Sequence, residues 1–388
     1  MERTFDLTQV RQNIPALDHC IYLNTGTFGP MPNAVKVEVN RITDLISEHG
    51  PFAPDCYEMM VDEMDRTRKT VAHVLNAPSC DNITLTRNTT EGANIVAWGI
   101  DWQPGDRILT STHEHPSGFM PLRTVRDRFD LDLEEWEWPE GGDDALLEAF
   151  EDKLRERPTR FVYMSYVTCD VGRRLPIAQM VEIAHAHGAL FMVDGAHAEG
   201  QIRVDVQALG CDFFTGCGHK WLGAPQGTGM LYMSPDVIGD MHRAWIGWTI
   251  SGHVPDTGCS ESCIGASFEF GTRPWILTSA LRAAIEYQEG FGRDMLESVA
   301  RENATWFKDR LRGYDGVSIQ TPLEPARSTG LVRFTYDGVK VPDLRKYMWE
   351  EAGIVSASGN EGMRVSIAYY TTREELETLL EVWDSARA

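Results

Sequence analysis

From about residue 80 to residue 233 the chain alternates short β-rich runs with amphipathic stretches, and this alternation decides the fold class. Strand patterns fall at Ile83–Arg87, Asp106–Ser111, Phe161–Ser165, Leu190–Asp194, Phe213–Thr215 and Met230–Met233. Helix patterns fall at Glu91–Gly99, up to about Phe129, and at Ile177–His187. Phe161–Ser165 and Leu190–Asp194 are unbroken apolar runs, as expected of strands covered on both faces. Leu131–Trp138 alternates apolar and acidic residues with period two, which predicts a strand near one edge. Strands and helices in alternation give an α/β fold with a mainly parallel sheet of seven strands. Such sheets bind ligands at the carboxyl ends of their strands.

After residue 233 the texture changes. Residues 234–272 mix Gly, Ser, Cys and Trp without a period, which predicts a long loop excursion. Helices follow at Arg273–Gly290 and Arg293–Leu311, then β runs at Val317–Gln320 and Gly330–Tyr336. A helix over Pro342–Ala352 carries its proline in the first turn, where a missing N–H costs nothing. A strand pair around Ile354–Ser356 and Met363–Ile367 leads to a last helix, Thr372–Trp383, with Thr372 as N-cap. This second pattern is α+β. It predicts an N-terminal arm over residues 1–20 that joins the small domain, a large domain over 21–275 and a smaller one over 276–388.

Charge narrows the function. Lysines and arginines number 36 against 58 acids, a net −22. A nucleic-acid binder needs a basic face, and so does docking on anionic lipid. The N-terminus is acidic from Glu2, unlike a signal peptide, and no apolar run approaches the roughly 18 residues of a membrane span. Eight scattered cysteines are not a disulfide framework in a chain this long, so reduced thiols in a cytoplasm are expected. Cys259 and Cys263 have no second pair nearby, so no metal site is expected.

Four strand-end segments carry the chemistry. Asp194 closes a very apolar strand, where an acid needs a cationic partner or a capping role. Lys220, in Gly218-His219-Lys220-Trp221, is the sole lysine between 153 and 308. In an apolar pocket it would be a nucleophile, and on the surface a snorkelling chain. Lys36, Lys69, Lys153, Lys308, Lys340 and Lys346 lie in amphipathic helices or turns and read as solvated. Asn88-Thr89-Thr90-Glu91-Gly92 sits where a strand hands over to a helix, suited to a phosphate or to a plain cap at Thr89 or Thr90. His113-Glu114-His115 follows another strand, and an imidazole there can lie on a planar ring. A phosphate cradle, a stacking ring, an acid for a pyridinium nitrogen and a pocket lysine are together what pyridoxal 5′-phosphate (PLP) requires.

In this order along the chain, from Tyr22-Leu-Asn-Thr-Gly-Thr-Phe-Gly-Pro30 to the last helix, the parts resemble fold-type I PLP enzymes of the class V aminotransferase and cysteine desulfurase superfamily. The resemblance implies that Lys220 bonds the cofactor aldehyde, Asp194 pairs with the pyridine nitrogen and His115 stacks on the ring. It implies that Thr89, Thr90, the backbone of Glu91, Cys217 and His219 hold the phosphate, with His197 beside the ring. Phe268-Glu-Phe-Gly-Thr272 looks like a loop that lends Thr272 to the phosphate of a neighbouring subunit, so a homodimer is implied. Met363-Arg364-Val-Ser-Ile-Ala-Tyr resembles the motif whose arginine grips the substrate α-carboxylate, with Asn24 and Thr27 near it.

Desulfurases of this superfamily carry a cysteine just before that arginine. Gly353-Ile-Val-Ser-Ala-Ser-Gly-Asn-Glu-Gly-Met-Arg364 has none. Gly50-Pro-Phe-Ala, Val96–Trp102, Glu114-His-Pro and Gly330-Leu-Val-Arg-Phe are similar to cysteine/cystine C–S lyases, and isopenicillin N epimerase-like proteins are also close. The expected activity is a C–S β-lyase on a cysteine S-conjugate. The alternatives are another PLP reaction on an amino acid (epimerisation, transamination or decarboxylative deamination) and a non-catalytic binding protein on the same fold. Two positions depart from the superfamily pattern. Asp170 stands where relatives place an Asn donor to the PLP phenolic oxygen, and an ionised carboxylate cannot donate. Cys217 stands where Ser or Thr is usual.

Overall fold

The computed structural model describes residues 5–245, 263–339, 343–358 and 362–387. A short strand, β1 (Ile21–Tyr22), precedes the main sheet. That sheet comprises β2 (Ile83–Thr86), β3 (Arg107–Ser111), β4 (Asp132–Trp136), β5 (Phe161–Ser165), β6 (Leu190–Asp194), β7 (Phe213–Cys217) and β8 (Gly229–Met233). Its order is β2-β8-β7-β6-β5-β3-β4. Only β8 runs antiparallel to its neighbours. The seven-stranded, mainly parallel sheet read from the sequence is therefore present. β5, β7 and β8 are buried throughout, whereas β4 lies at the edge and keeps its acids partly exposed. The period-two pattern of residues 131–138 has this cause.

From β3 the chain goes to β4 on one side, while β5, β6 and β7 build outward on the other. Side chains just beyond the carboxyl ends of these strands converge at this switch point. Two long helices that the alternation does not announce, Asn33–His49 and Pro54–Val74, cover this domain with Trp275–Phe291. The last of these buries Ala280, Leu281, Ala284 and Ile285 in the large core. On that packing we propose that the domain division falls near residue 292, later than the 275 expected from sequence.

The smaller domain has β9 (Val317–Ile319), β10 (Leu331–Tyr336), β11 (Ile354–Val355), β12 (Ala357–Ser358) and β13 (Gly362–Ser366). Four of them form an antiparallel sheet, β12-β13-β10-β9, and β11 pairs in parallel with β1. Helices Arg293–Leu311 and Arg373–Arg387 pack on it through Phe307, Leu379, Leu380 and Trp383. Thr372 and Glu375 form a reciprocal capping box, each side chain accepting from the other's backbone N–H. The preceding helix starts at Leu344 with Asp343 as cap, so the expected start at Pro342 moves two residues on, and Pro342 itself lies outside the described residues.

Lys308 corrects one expectation. It is buried, not solvated, and its ammonium donates to Pro322 O, Leu323 O and Ser328 Oγ. Cys263 is likewise buried against Cys80 O, while Cys259 lies outside the described residues. Among the described residues no helix is long and apolar enough to cross a membrane, and no group of three His, Cys, Asp or Glu is placed to hold a metal.

Candidate active site

A cavity of about 270 Å³ opens at the carboxyl ends of β3, β5, β6 and β7. Thr27, Thr89, Thr90, His115, Asp194, His197, Cys217, His219, Lys220 and Arg364 all line it. Residues from six separate segments thus meet at one place.

Lys220 follows the end of β7. Its Nζ is 3.1 Å from His197 Nε2. The Trp221 indole donates to His197 Nδ1 at 3.4 Å. Burial and the Lys220 charge push the His197 pKa well down, so this imidazole is neutral. No carboxylate pairs with Lys220 among the described residues. Gly29 fixes the segment above it. A Cβ there would lie 1.9 Å from Lys220 O, so no other residue fits at this approach.

Asp194, the last residue of β6, is buried beside the cavity. Tyr163 OH donates to its Oδ2 at 2.6 Å and Ala196 N to its Oδ1 at 2.8 Å. The second bond closes a local turn and no helix starts here, so the helix-capping role that position suggested is not found. The first is a partner the sequence reading missed, although a tyrosine in a fully buried strand signals that its hydroxyl needs one. Gly118 permits the contact, because a Cβ there would sit 1.8 Å from Tyr163 OH.

His115 caps the helix Pro116–Phe129, its Nδ1 accepting from Ser117 N at 3.1 Å. Burial and the Lys220 charge lower its pKa, which keeps the ring neutral. Beneath it Glu114 is buried. Ser111 Oγ and Ser165 N donate to one carboxylate oxygen and Ser165 Oγ to the other. Burial pushes Glu114 up to about 7.

Helix Thr89–Gly99 directs its N-terminus at the same cavity. Its cap is Asn88, whose Oδ1 accepts from Glu91 N at 2.9 Å. That bond and the Arg87–Glu91 ion pair engage Glu91, which does not line the cavity, so its expected backbone role toward phosphate is corrected. Thr89 Oγ1 and His219 Nδ1 are buried with no hydrogen-bond partner. Burial and the Lys220 charge lower His219 to about 4, so its ring is neutral. Two orphaned polar atoms beside a helix N-terminus fit a phosphate group.

Arg364, in β13, donates from Nη1 to Cys169 O at 2.8 Å and from Nη2 to Thr27 Oγ1 at 2.9 Å. Thr27 Oγ1 in turn donates to Asn24 Oδ1 at 2.8 Å. Asn24 and Asp170 line an adjoining open cleft rather than the inner cavity. Asp170 does not face the place expected for an Asn donor. His113 Nδ1 holds it at 2.9 Å and Val171 N donates to it. Burial, the largest influence, opposes its charge, but the His113 and Val171 N bonds with the His113 charge together outweigh it and lower its pKa, while Asp170 raises that of His113. Thr272 is exposed and does not line the cavity of its own chain.

The model of the family described as aminotransferase class-V matches residues 47–379. The chain belongs to the class V aminotransferase family. It is 30% identical to a probable cysteine desulfurase of Methanothermobacter thermautotrophicus over 96% of both chains. It is 27% identical to isopenicillin N epimerase of Streptomyces clavuligerus over 94% of both. Among solved structures, a lysine-to-alanine mutant of C-DES with glycine covalently linked to its PLP cofactor superposes with a TM-score of 0.87. Identity there is 25%, over 98% of this chain and 100% of that one. C-DES bound to its reaction product cysteine persulfide, described as a cystine C–S lyase, gives 0.85 at 25% identity, over 96% and 99%. As a class V aminotransferase family member the chain is a PLP-dependent enzyme of fold type I, and the cavity's donors fit that cofactor.

Proposed function

We propose that this chain is a PLP-dependent C–S β-lyase that converts an L-cysteine S-conjugate and water to a thiol, pyruvate and ammonia. The observation that carries this reading is the β11–β13 segment. It delivers Arg364 to the cavity with no cysteine anywhere from 264 to 388. The two thiols among the described residues that line the cavity are poor sulfur acceptors. Burial and then Asp170 push Cys169 up to about 12, and burial raises Cys217. A thiol, not a thiolate, is the wrong form for nucleophilic attack.

PLP, when bound, draws the electrons of a broken Cα bond into its ring. The rest falls to the protein. Lys220 takes the Cα proton, and neutral His197 beside it adds no competing charge. Arg364 offers a two-point grip for the α-carboxylate, steadied by Thr27 and Cys169 O, which sets the bond that faces Lys220. Asp194, held by Tyr163, accepts from the ring nitrogen. With the cofactor bound, His115 would cover the ring, and Thr89, Thr90 and His219 would hold the phosphate. The Cα–H electrons form the Cα=Cβ bond and the Cβ–S pair leaves with sulfur as thiolate. Water then hydrolyses the aminoacrylate to pyruvate and ammonia.

Thr272 suits a role in trans, because it is exposed and removed from its own cavity, so the functional unit of this reading is a homodimer. A second reading, epimerisation at Cα, has support from the isopenicillin N epimerase relatives. A panel of cysteine S-conjugates separates the two. The β-lyase predicts one pyruvate per thiol released, read by mass spectrometry. Recovered substrate with scrambled chirality and no pyruvate would favour the epimerase.

A further inference from the structure

The cleft outside the inner cavity has features that the α-carboxylate grip does not use. It is open, holds about 970 Å³ and shares Thr27, Cys169 and Arg364 with the inner cavity. In the β10–β13 pair, Arg333 stands directly opposite Arg364. Cross-strand partners project from the same face, and both arginines line the cleft. Like charges in this position are destabilising unless an anion lies between or beside them.

The nearest acid, Asp170, acts on Arg364 through its charge, but its carboxylate is held by His113 and Val171 N. Arg333 has no ion-pair partner among the described residues, and neither has Arg345 at the cleft's rim. The other acid among the described residues that line the cleft, Asp343, is also engaged, capping a helix by accepting from Lys346 N. Lys346 adds a further cation, 3.7 Å from Glu350. A chain with a net charge of −22 thus gathers four cations, Arg333, Arg345, Lys346 and Arg364, against two acids among the described residues that line this cleft. Low-dielectric walls focus such a field on an anionic ligand.

We propose that Arg333 is a substrate-binding residue for a second anionic group, and that the substrate is a cysteine S-conjugate whose sulfur substituent carries a carboxylate or similar anion. Arg364 takes the α-carboxylate and Arg333 the distal one. The assignment rests on Arg364 holding the α-carboxylate, but not on the fate of the C–S bond. A planar guanidinium suits a carboxylate by a paired hydrogen-bond fork, which an ammonium cannot reproduce.

The test uses the PLP-loaded enzyme and amino acids that cannot undergo C–S cleavage: L-2-aminoadipate, L-2-aminopimelate and L-2-aminosuberate, each beside its ω-amide. Dissociation constants are read from the change in visible absorption of bound cofactor. At least one acid should bind about tenfold or more tighter than its amide, the scale of one charge-assisted contact. Arg333→Gln should abolish that preference by weakening the acid alone, and Arg333→Lys should keep part of it, which shows that the fold is intact. No preference for any acid over its amide, or an equal loss for acid and amide in Arg333→Gln, overturns the proposal. Pyruvate release from S-(2-carboxyethyl)-L-cysteine is measured separately. Its failure with the acid preference intact would defeat the β-lyase reading and leave the anion subsite standing.

Discussion

Lys220 bears the heaviest chemical claim of any residue. Borohydride treatment of the yellow enzyme should fix PLP to the peptide that contains Lys220, and Lys220→Ala should lose that label. A label retained on the same peptide in the variant would remove Lys220 from its role. Glu114 gives a test of the site's electrostatics. Its carboxyl, pushed up to about 7 by burial, keeps a proton that the unfolded chain releases near the ordinary value of about 4.3. The folded state binds more protons in this window, so the stability from Glu114 is full below it and is lost as pH rises toward about 7. The unfolding midpoint of wild type should therefore fall relative to that of Glu114→Gln between about pH 4.5 and 7. Parallel pH profiles would show that Glu114 is ionised in the fold throughout. Residues whose chemical type is unusual at a strand end, such as Lys220 and Asp194, were legible in the sequence. Lys308 was not, because its helical spacing looks solvated and only the fold brings two carbonyls and Ser328 to its ammonium. The same limit hid Glu91, whose backbone N–H is taken by Asn88, and Asp170, whose partner His113 lies 57 positions away.

At the scale of elements, the parallel strands were readable because burial on both faces leaves an unbroken apolar run, and β4 because its edge position restores alternation. Helices Asn33–His49 and Pro54–Val74 were not, since they carry polar side chains on wide faces and fall outside the strand–helix rhythm. Some of that polarity is buried and paired. Arg68 bonds Asp65 and Glu269 inside the fold, so a charged helix position there signals packing rather than solvent. The last helix shows how the small domain is held. Trp383 is buried, with its ring 5.1 to 5.9 Å from those of Tyr314, Phe334 and Tyr336. Trp383→Ala should cost about 3–5 kcal/mol of stability through lost contacts and a cavity. Denaturant unfolding checks this, and a loss under about 1 kcal/mol would mean that the helix is not anchored by that ring.

For the whole molecule, the proposed function seats the substrate where the two proposed domains meet. The large one supplies Lys220, Asp194, His115 and the phosphate donors, and the small one supplies Arg364 and Arg333 on paired strands. In the proposed reading the substrate lies between Lys220 and Arg364, which line the same cavity. The account's central claim is that sulfur leaves from Cβ without passing through a protein thiol. The most direct measurement is the ratio of pyruvate to alanine formed from one cysteine S-conjugate, by wild type and by Cys169→Ser side by side. The account predicts pyruvate as the main product of both, with turnover of the variant within a few-fold of wild type. Alanine as the main product, or a collapse of turnover in Cys169→Ser with PLP still bound, would contradict it.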